Sequence, residues 1–90
     1  MDHDFETYCE RIESEFFRLK GRPGTLSPAD FQRTREWFDL GVPLAAALEG
    51  LADAFASQEA GRYGADEEVN GLAFCEPYVE RAIARRHPAN

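Results

Sequence analysis

Apolar positions recur with helical spacing in four stretches of the 90-residue chain. From Asp4 to Leu19, the positions Phe5, Tyr8 or Cys9, Ile12, Phe16 and Leu19 fall three and four residues apart, with charges filling the rest. That spacing predicts an amphipathic helix over 4–19. Asp2, Asp4 and Glu6 stand at its start and Arg18 and Lys20 at its end, the order the helix dipole favours. Gly21 then stops it. Phe17 falls off the main stripe, where it either widens the buried face or stays partly exposed as a contact residue.

The turn-rich Gly21-Arg22-Pro23-Gly24-Thr25 leads into Leu26-Ser27-Pro28-Ala29-Asp30-Phe31. Here Ser27 suits an N-cap, Pro28 the first helical position, and Asp30 a short form of the capping-box acid. Leu26 and Phe31 match a hydrophobic staple. A second helix is predicted over 28–40, burying Phe31, Trp37 and Phe38 with help from Thr34 and Leu40 and ending at Gly41. Pro43 then takes an N1-like position, and Leu44, Ala47 or Leu48, Leu51 and Phe55 predict a third helix over 43–57. The short connection implies that the second and third helices are adjacent partners. Gly50 sits inside the third helix, where glycine costs about 1 kcal/mol of propensity. With Ala45, Ala46 and Ala54 it predicts close approach of a neighbour.

Residues 58–71 are polar and acidic, carry Gly61, Gly64 and Gly71, and show no period, which predicts a flexible loop with Tyr63 on it. Leu72, Phe74, Cys75, Tyr78, Val79, Ala82 and Ile83 then resume helical spacing, interrupted by Pro77. Either a turn from Asn70 kinks at Pro77, or the regular helix begins near Glu76 with Pro77 at its first position, and the second is favoured. This last helix is predicted over 76–86, with Arg85, Arg86 and His87 at its C-terminal end and Pro88 after it. No segment alternates as a strand does. The expected fold class is all-α: a single domain over 1–90, a compact bundle of four main helices with a flexible loop before the last.

Composition sharpens this picture without changing it. An apolar share of 43% and an aromatic share of 12% exclude a disordered chain. The longest uncharged apolar stretch, Val42 to Leu48, is seven residues, against roughly 20 needed to span a bilayer. The acidic start Met1-Asp2-His3-Asp4 does not read as a secretory leader, so a cytoplasmic location and no membrane association are expected. Cys9 and Cys75 are too sparse and too distant for a disulfide framework and read as small reduced hydrophobes. With His3 and His87 they lack the paired short spacings of a zinc site, so no metal is expected.

The net charge of -7 is uneven: residues 1–15 sum to -5, 16–40 to +2, 41–70 to -5 and 71–90 to +1. An acidic field of this size opposes approach to a polyanion, although the bases Arg18, Lys20, Arg22, Arg33 and Arg35 form a local surplus. Pairs such as Glu13 with Glu15 or Glu67 with Glu68 diverge and do not form an acid–base couple. No phosphate-cradling loop, nucleophile elbow or zinc-protease motif is present, so neither an enzyme nor a cofactor is expected. The leading reading is a protein-interaction or adaptor module, monomeric or weakly dimeric. Its candidate partner-binding residues are Phe17, Arg18, Arg22, Tyr63 and Tyr78.

Gly21-Arg22-Pro23, Leu26-Ser27-Pro28, Trp37 nine residues after Pro28 and Gly41 four after Trp37 together resemble the C-terminal domain of the DnaD/DnaB-type primosomal proteins of bacterial replication initiation. The Phe16 helix fills the leading position of that pattern, and Leu72-Ala73-Phe74 with Tyr78, Ala82 and Ile83 roughly fills the closing one. The chain departs from it by the insertion Gly24-Thr25, a longer 58–71 loop and a closing motif without its terminal Trp. It also resembles small uncharacterised bacterial proteins with Leu-Ser-Pro, Gly-x-Pro-Leu and Leu-Ala-Phe/Tyr-Cys-x-Pro patterns. The DnaD resemblance implies the alternative function, a replication accessory touching DNA through Arg18, Lys20, Arg22, Arg33 and Arg35.

Overall fold

Two left-handed glycines set where the first two helices stop. In a computed structural model that describes residues 3–59 and 71–86, helix α1 spans His3–Lys20 and α2 spans Pro28–Asp39. Gly21 and Gly41 both sit at φ +80°, a conformation an L side chain disfavours. Each allows a paired closing motif: Gly21 N–H donates to the Arg18 carbonyl and Arg22 N–H to that of Phe17, and Gly41 and Val42 repeat this on Phe38 and Trp37. At the start of α2, Ser27 is the N-cap, its hydroxyl accepting from Asp30 N–H at 3.1 Å, and Pro28 opens the helix.

Helix α3 spans Leu44–Glu59 and α4 spans Leu72–Arg86, completing an all-α bundle in which the described residues contain four helices and no strand. Each helix packs against two others: α1 on α2 and α3, α4 on α3 and α2. Helices α2 and α3 do not lie side by side, contrary to the sequence expectation. The Leu40–Pro43 turn carries the chain across to α1 and α4 instead of folding it back. Tyr8 of α1 secures that turn by donating its hydroxyl to the Val42 carbonyl at 2.9 Å. The core joins Ile12 and Phe16 of α1, Trp37 of α2, Ala47, Leu51 and Ala54 of α3, and Leu72, Cys75 and Val79 of α4. No helix among the described residues is long and apolar enough to cross a membrane.

Three sequence expectations are corrected here. Helix α4 begins at Leu72, four residues before the expected start, and Pro77 lies inside it. A proline inside a helix costs about 3 kcal/mol. Fully burying Leu72 and Cys75 offsets that at about 1.5–3 kcal/mol for a leucine side chain, and the first turn is capped from another helix. The Asp30 carboxylate accepts Leu72 N–H at 3.0 Å, so Asp30 caps α4 and does not close a capping box in its own helix. Phe31 and Leu40, expected in the core, are 48% and 80% exposed. The buried stripe of α2 is Asp30, Thr34 and Trp37, and it is wettable only in appearance: Thr34 Oγ1 donates to the Asp30 carbonyl at 2.9 Å. Most of the expected 58–71 loop, Tyr63 included, lies outside the described residues.

Removing the cross-helix cap gives a measurable outcome. Asp30→Ala is expected to lower stability by about 1–2 kcal/mol in urea denaturation, while Asp30→Asn, which keeps an acceptor, recovers most of it. Equal stability of Asp30→Ala and wild type would remove Asp30 from its capping role.

Candidate functional site

Helices α1 and α2 border an open groove of about 570 Å³, lined by Phe5, Glu6, Cys9 and Glu10 from α1 and Phe31 and Arg35 from α2. The spacing explains the arrangement. Phe5 and Cys9 are one helical turn apart, as are Glu6 and Glu10, and Phe31 and Arg35 are one turn apart on the facing helix. Phe5 is buried and meets Phe31 edge-on, with ring centroids 5.6 Å apart, and Phe38 at 5.3 Å. The Arg35 guanidinium lies 4.5 Å above the Phe5 ring and ion-pairs with Asp39 at 3.3 Å. The groove thus has an aromatic floor, one internally matched cation and two exposed carboxylates.

Nothing in this arrangement activates a nucleophile. Cys9 is half-buried, and burial, then the charges of Glu13 and Glu10, push its thiol above its ordinary value. A raised thiol pKa means little thiolate and low reactivity. Cys75 lies in the core, where burial first and Asp30 second push its thiol up to about 12. The described residues hold no group of three or more His, Cys, Asp or Glu able to grip a metal ion.

Among the described residues, those singled out from sequence do not converge on one surface. Phe17 is half-buried, its ring edge-on to Phe16 at 5.1 Å and laid so closely over Gly24 that a Cβ there would meet it at 2.6 Å. Tyr78 is 8% exposed and belongs to the core, so it is no exposed anchor. Arg18 pairs with Glu15 one turn back, and Lys20 sits over the Phe16 and Phe17 rings at 5.3 and 5.9 Å. Arg22 is exposed. Arg33 points towards α4, reaching Glu76 at 2.9 Å as well as Glu36, whereas Arg35 turns the opposite way into the groove. The basic surplus between residues 18 and 35 is therefore spread over several sides of the bundle, with most of its charges matched by carboxylates.

Sequence reasoning missed the groove because it assigned Phe31 to the core. The available signal was the competing stripe Asp30, Thr34 and Trp37, spaced by four and three, which puts Phe31 on the flank of α2. Comparison of the chain with protein-family models, with curated proteins and with solved structures finds no match to any of them.

Burial of Cys75 and Tyr8 makes stability depend on alkaline pH. Burial pushes Tyr8 from 10.0 up to about 12 and Cys75 from 9.0 up to about 12. The folded chain therefore keeps protons that the unfolded chain releases. Stability is full below the unfolded thiol value and declines as pH rises from there towards the folded values. Urea midpoints measured from pH 8 to 11 should fall steadily, with a shallower fall in Cys75→Ala. A flat profile would contradict the burial of both groups.

Proposed function

We propose that this chain is a small helical interaction module that docks a protein segment in the groove between α1 and α2. The observation that carries this reading is Phe31. A large aromatic side chain is left 48% exposed on the wall of a groove whose floor is aromatic, while the rest of α2's inner face is closed by hydrogen bonds and packing. Aromatic anchors at the centre of a partly desolvated patch supply most binding energy at protein interfaces.

Selection of a random displayed peptide library against the folded protein tests the reading. Convergent ligands are expected, and Phe31→Ala should weaken them by about tenfold or more while changing stability by no more than about 1 kcal/mol, the worth of its edge-to-face pair. Failure to enrich any ligand, or full binding by Phe31→Ala, would overturn it.

The DnaD-like reading, DNA contact through Arg18, Lys20, Arg22, Arg33 and Arg35, is the weaker of the two. Its support is Lys20 and Arg22, which form no ion pair among the described residues. Against it, phosphates must compete with Glu15, Glu36, Glu76 and Asp39 for the other three. No binding to single-stranded or duplex DNA at about 50 mM salt, where phosphate contacts are strongest, would eliminate it.

A further inference from the structure

The groove is uneven in charge, and that unevenness specifies its occupant. Glu6 and Glu10 are exposed on its α1 side and form no ion pair among the described residues. Four residues apart on one helix, their side chains stand about 5–6 Å apart at the Cβ atoms. The groove's single cation is already engaged, Arg35 being stacked on Phe5 and paired with Asp39. Phe31, 48% exposed, lines the same groove. The whole chain adds an acidic field of net charge -7.

Resting on the interaction-module reading above, we infer that the groove takes a basic amphipathic helix of a partner protein. An apolar side chain of that helix seats against Phe31, and two Lys or Arg residues one turn apart meet Glu6 and Glu10. A helix meets this requirement, since cations at i and i+4 on the partner repeat at the same distance as the carboxylates. The acidic field speeds the approach of such a segment and repels acidic ones. A second copy of this chain fits poorly. Among the described residues its own basic pair at this spacing within one helix, Arg81 and Arg85, is occupied, Arg81 over the Tyr78 ring and Arg85 on Glu49 and Asp53, and like net charges oppose self-docking.

Three labelled helix-forming peptides test this by fluorescence anisotropy with the full chain. They share their apolar anchors and differ only in carrying Lys, Gln or Glu at the two flanking positions. The Lys peptide should bind about tenfold tighter than the Gln peptide at about 50 mM salt, the Glu peptide weaker still, and the differences should shrink at about 500 mM. The double variant Glu6→Gln/Glu10→Gln should bring Lys and Gln peptides to within about twofold of each other. Equal binding of Lys and Gln peptides, or a Lys preference that survives the double variant, overturns the inference. If the Gln peptide binds as well as the Lys peptide and loses binding on Phe31→Ala, the charge argument fails while the groove reading stands. No binding of any peptide overturns the inference, leaving the displayed library to decide the groove separately. Self-association in sedimentation that Phe31→Ala abolishes would make a second copy the occupant and overturn it as well.

Discussion

Trp37→Ala should lower unfolding free energy by about 3–5 kcal/mol, the range for truncating a large buried aromatic residue. Trp37 is 4% exposed and is the main apolar contribution of α2 to a core otherwise drawn from α1, α3 and α4. A chain of this length has a total stability of roughly 5–13 kcal/mol by the usual value per residue. The loss is therefore a large fraction of the whole, and the variant should melt far below wild type or be partly unfolded at 37 °C. Trp37→Phe, which keeps most of the volume, should recover more than half of it. Circular dichroism melts with urea titrations measure both, and a Trp37→Ala midpoint close to wild type would mean that the inner face of α2 is wrongly assigned.

Gly50→Ala should also destabilise, and the sign of its effect is the informative part. In an exposed helix this change stabilises by about 1 kcal/mol, because alanine is the better helix former. Here an added Cβ would lie 2.5 Å from Val79 Cα and 2.6 Å from Val79 N. Those are backbone atoms, which cannot rotate away, so α3 and α4 must separate. That overpacking costs about 1–3 kcal/mol and outweighs the propensity gain. Net destabilisation of about 1–2 kcal/mol is expected, more for Gly50→Val. A stabilised Gly50→Ala protein would show that the two helices are not in backbone contact. The ion pairs of Arg85 with Glu49 and Asp53 beside this seam, at 2.7 and 2.8 Å, are solvent-exposed and contribute little by comparison.

Much of the fold was legible because the signals that build it are local. The interval of the apolar residues in α1, the Ser27-Pro28 start, the glycines at 21 and 41, and the small-residue seam around Gly50 each act through neighbours within a few positions along the chain or one helix face. What was misread depends on contacts between distant parts of the chain, such as Tyr8 with Val42 and Asp30 with Leu72. The early start of α4 rests on the bond from Leu72 N–H to Asp30, a separation of 42 residues. A capping acid in a helix N-terminus has the same local appearance whether it serves its own helix or another.

The candidate site was less legible than the fold. Phe31 and Leu40 look like core from composition, and Asp30 looks like a surface capping residue. A helix with apolar residues on more than one side can be rotated by a fraction of a turn without changing its own stability, so its orientation is settled by its neighbours. Here the hydrogen bonds of Asp30 and Thr34 let polar atoms go inside without penalty, and the rotation that buries them leaves Phe31 half outside. The same reason places Tyr78 inward.

The sequence by itself determined four amphipathic segments, two glycine stops, a capped second helix and an acidic chain with its bases between acidic stretches. Those are properties of spacing and of single residues, and they survive any packing arrangement. Only the tertiary structure decided which helices touch, that α4 begins five residues before Pro77, that the bases are dispersed and mostly paired, and that Phe31 faces a groove beside Glu6 and Glu10. Apart from the ion pairs of Arg18 and Arg35 with carboxylates one turn away, these depend on the distance between residues far apart in sequence, a quantity set by how the four helices bury their faces together.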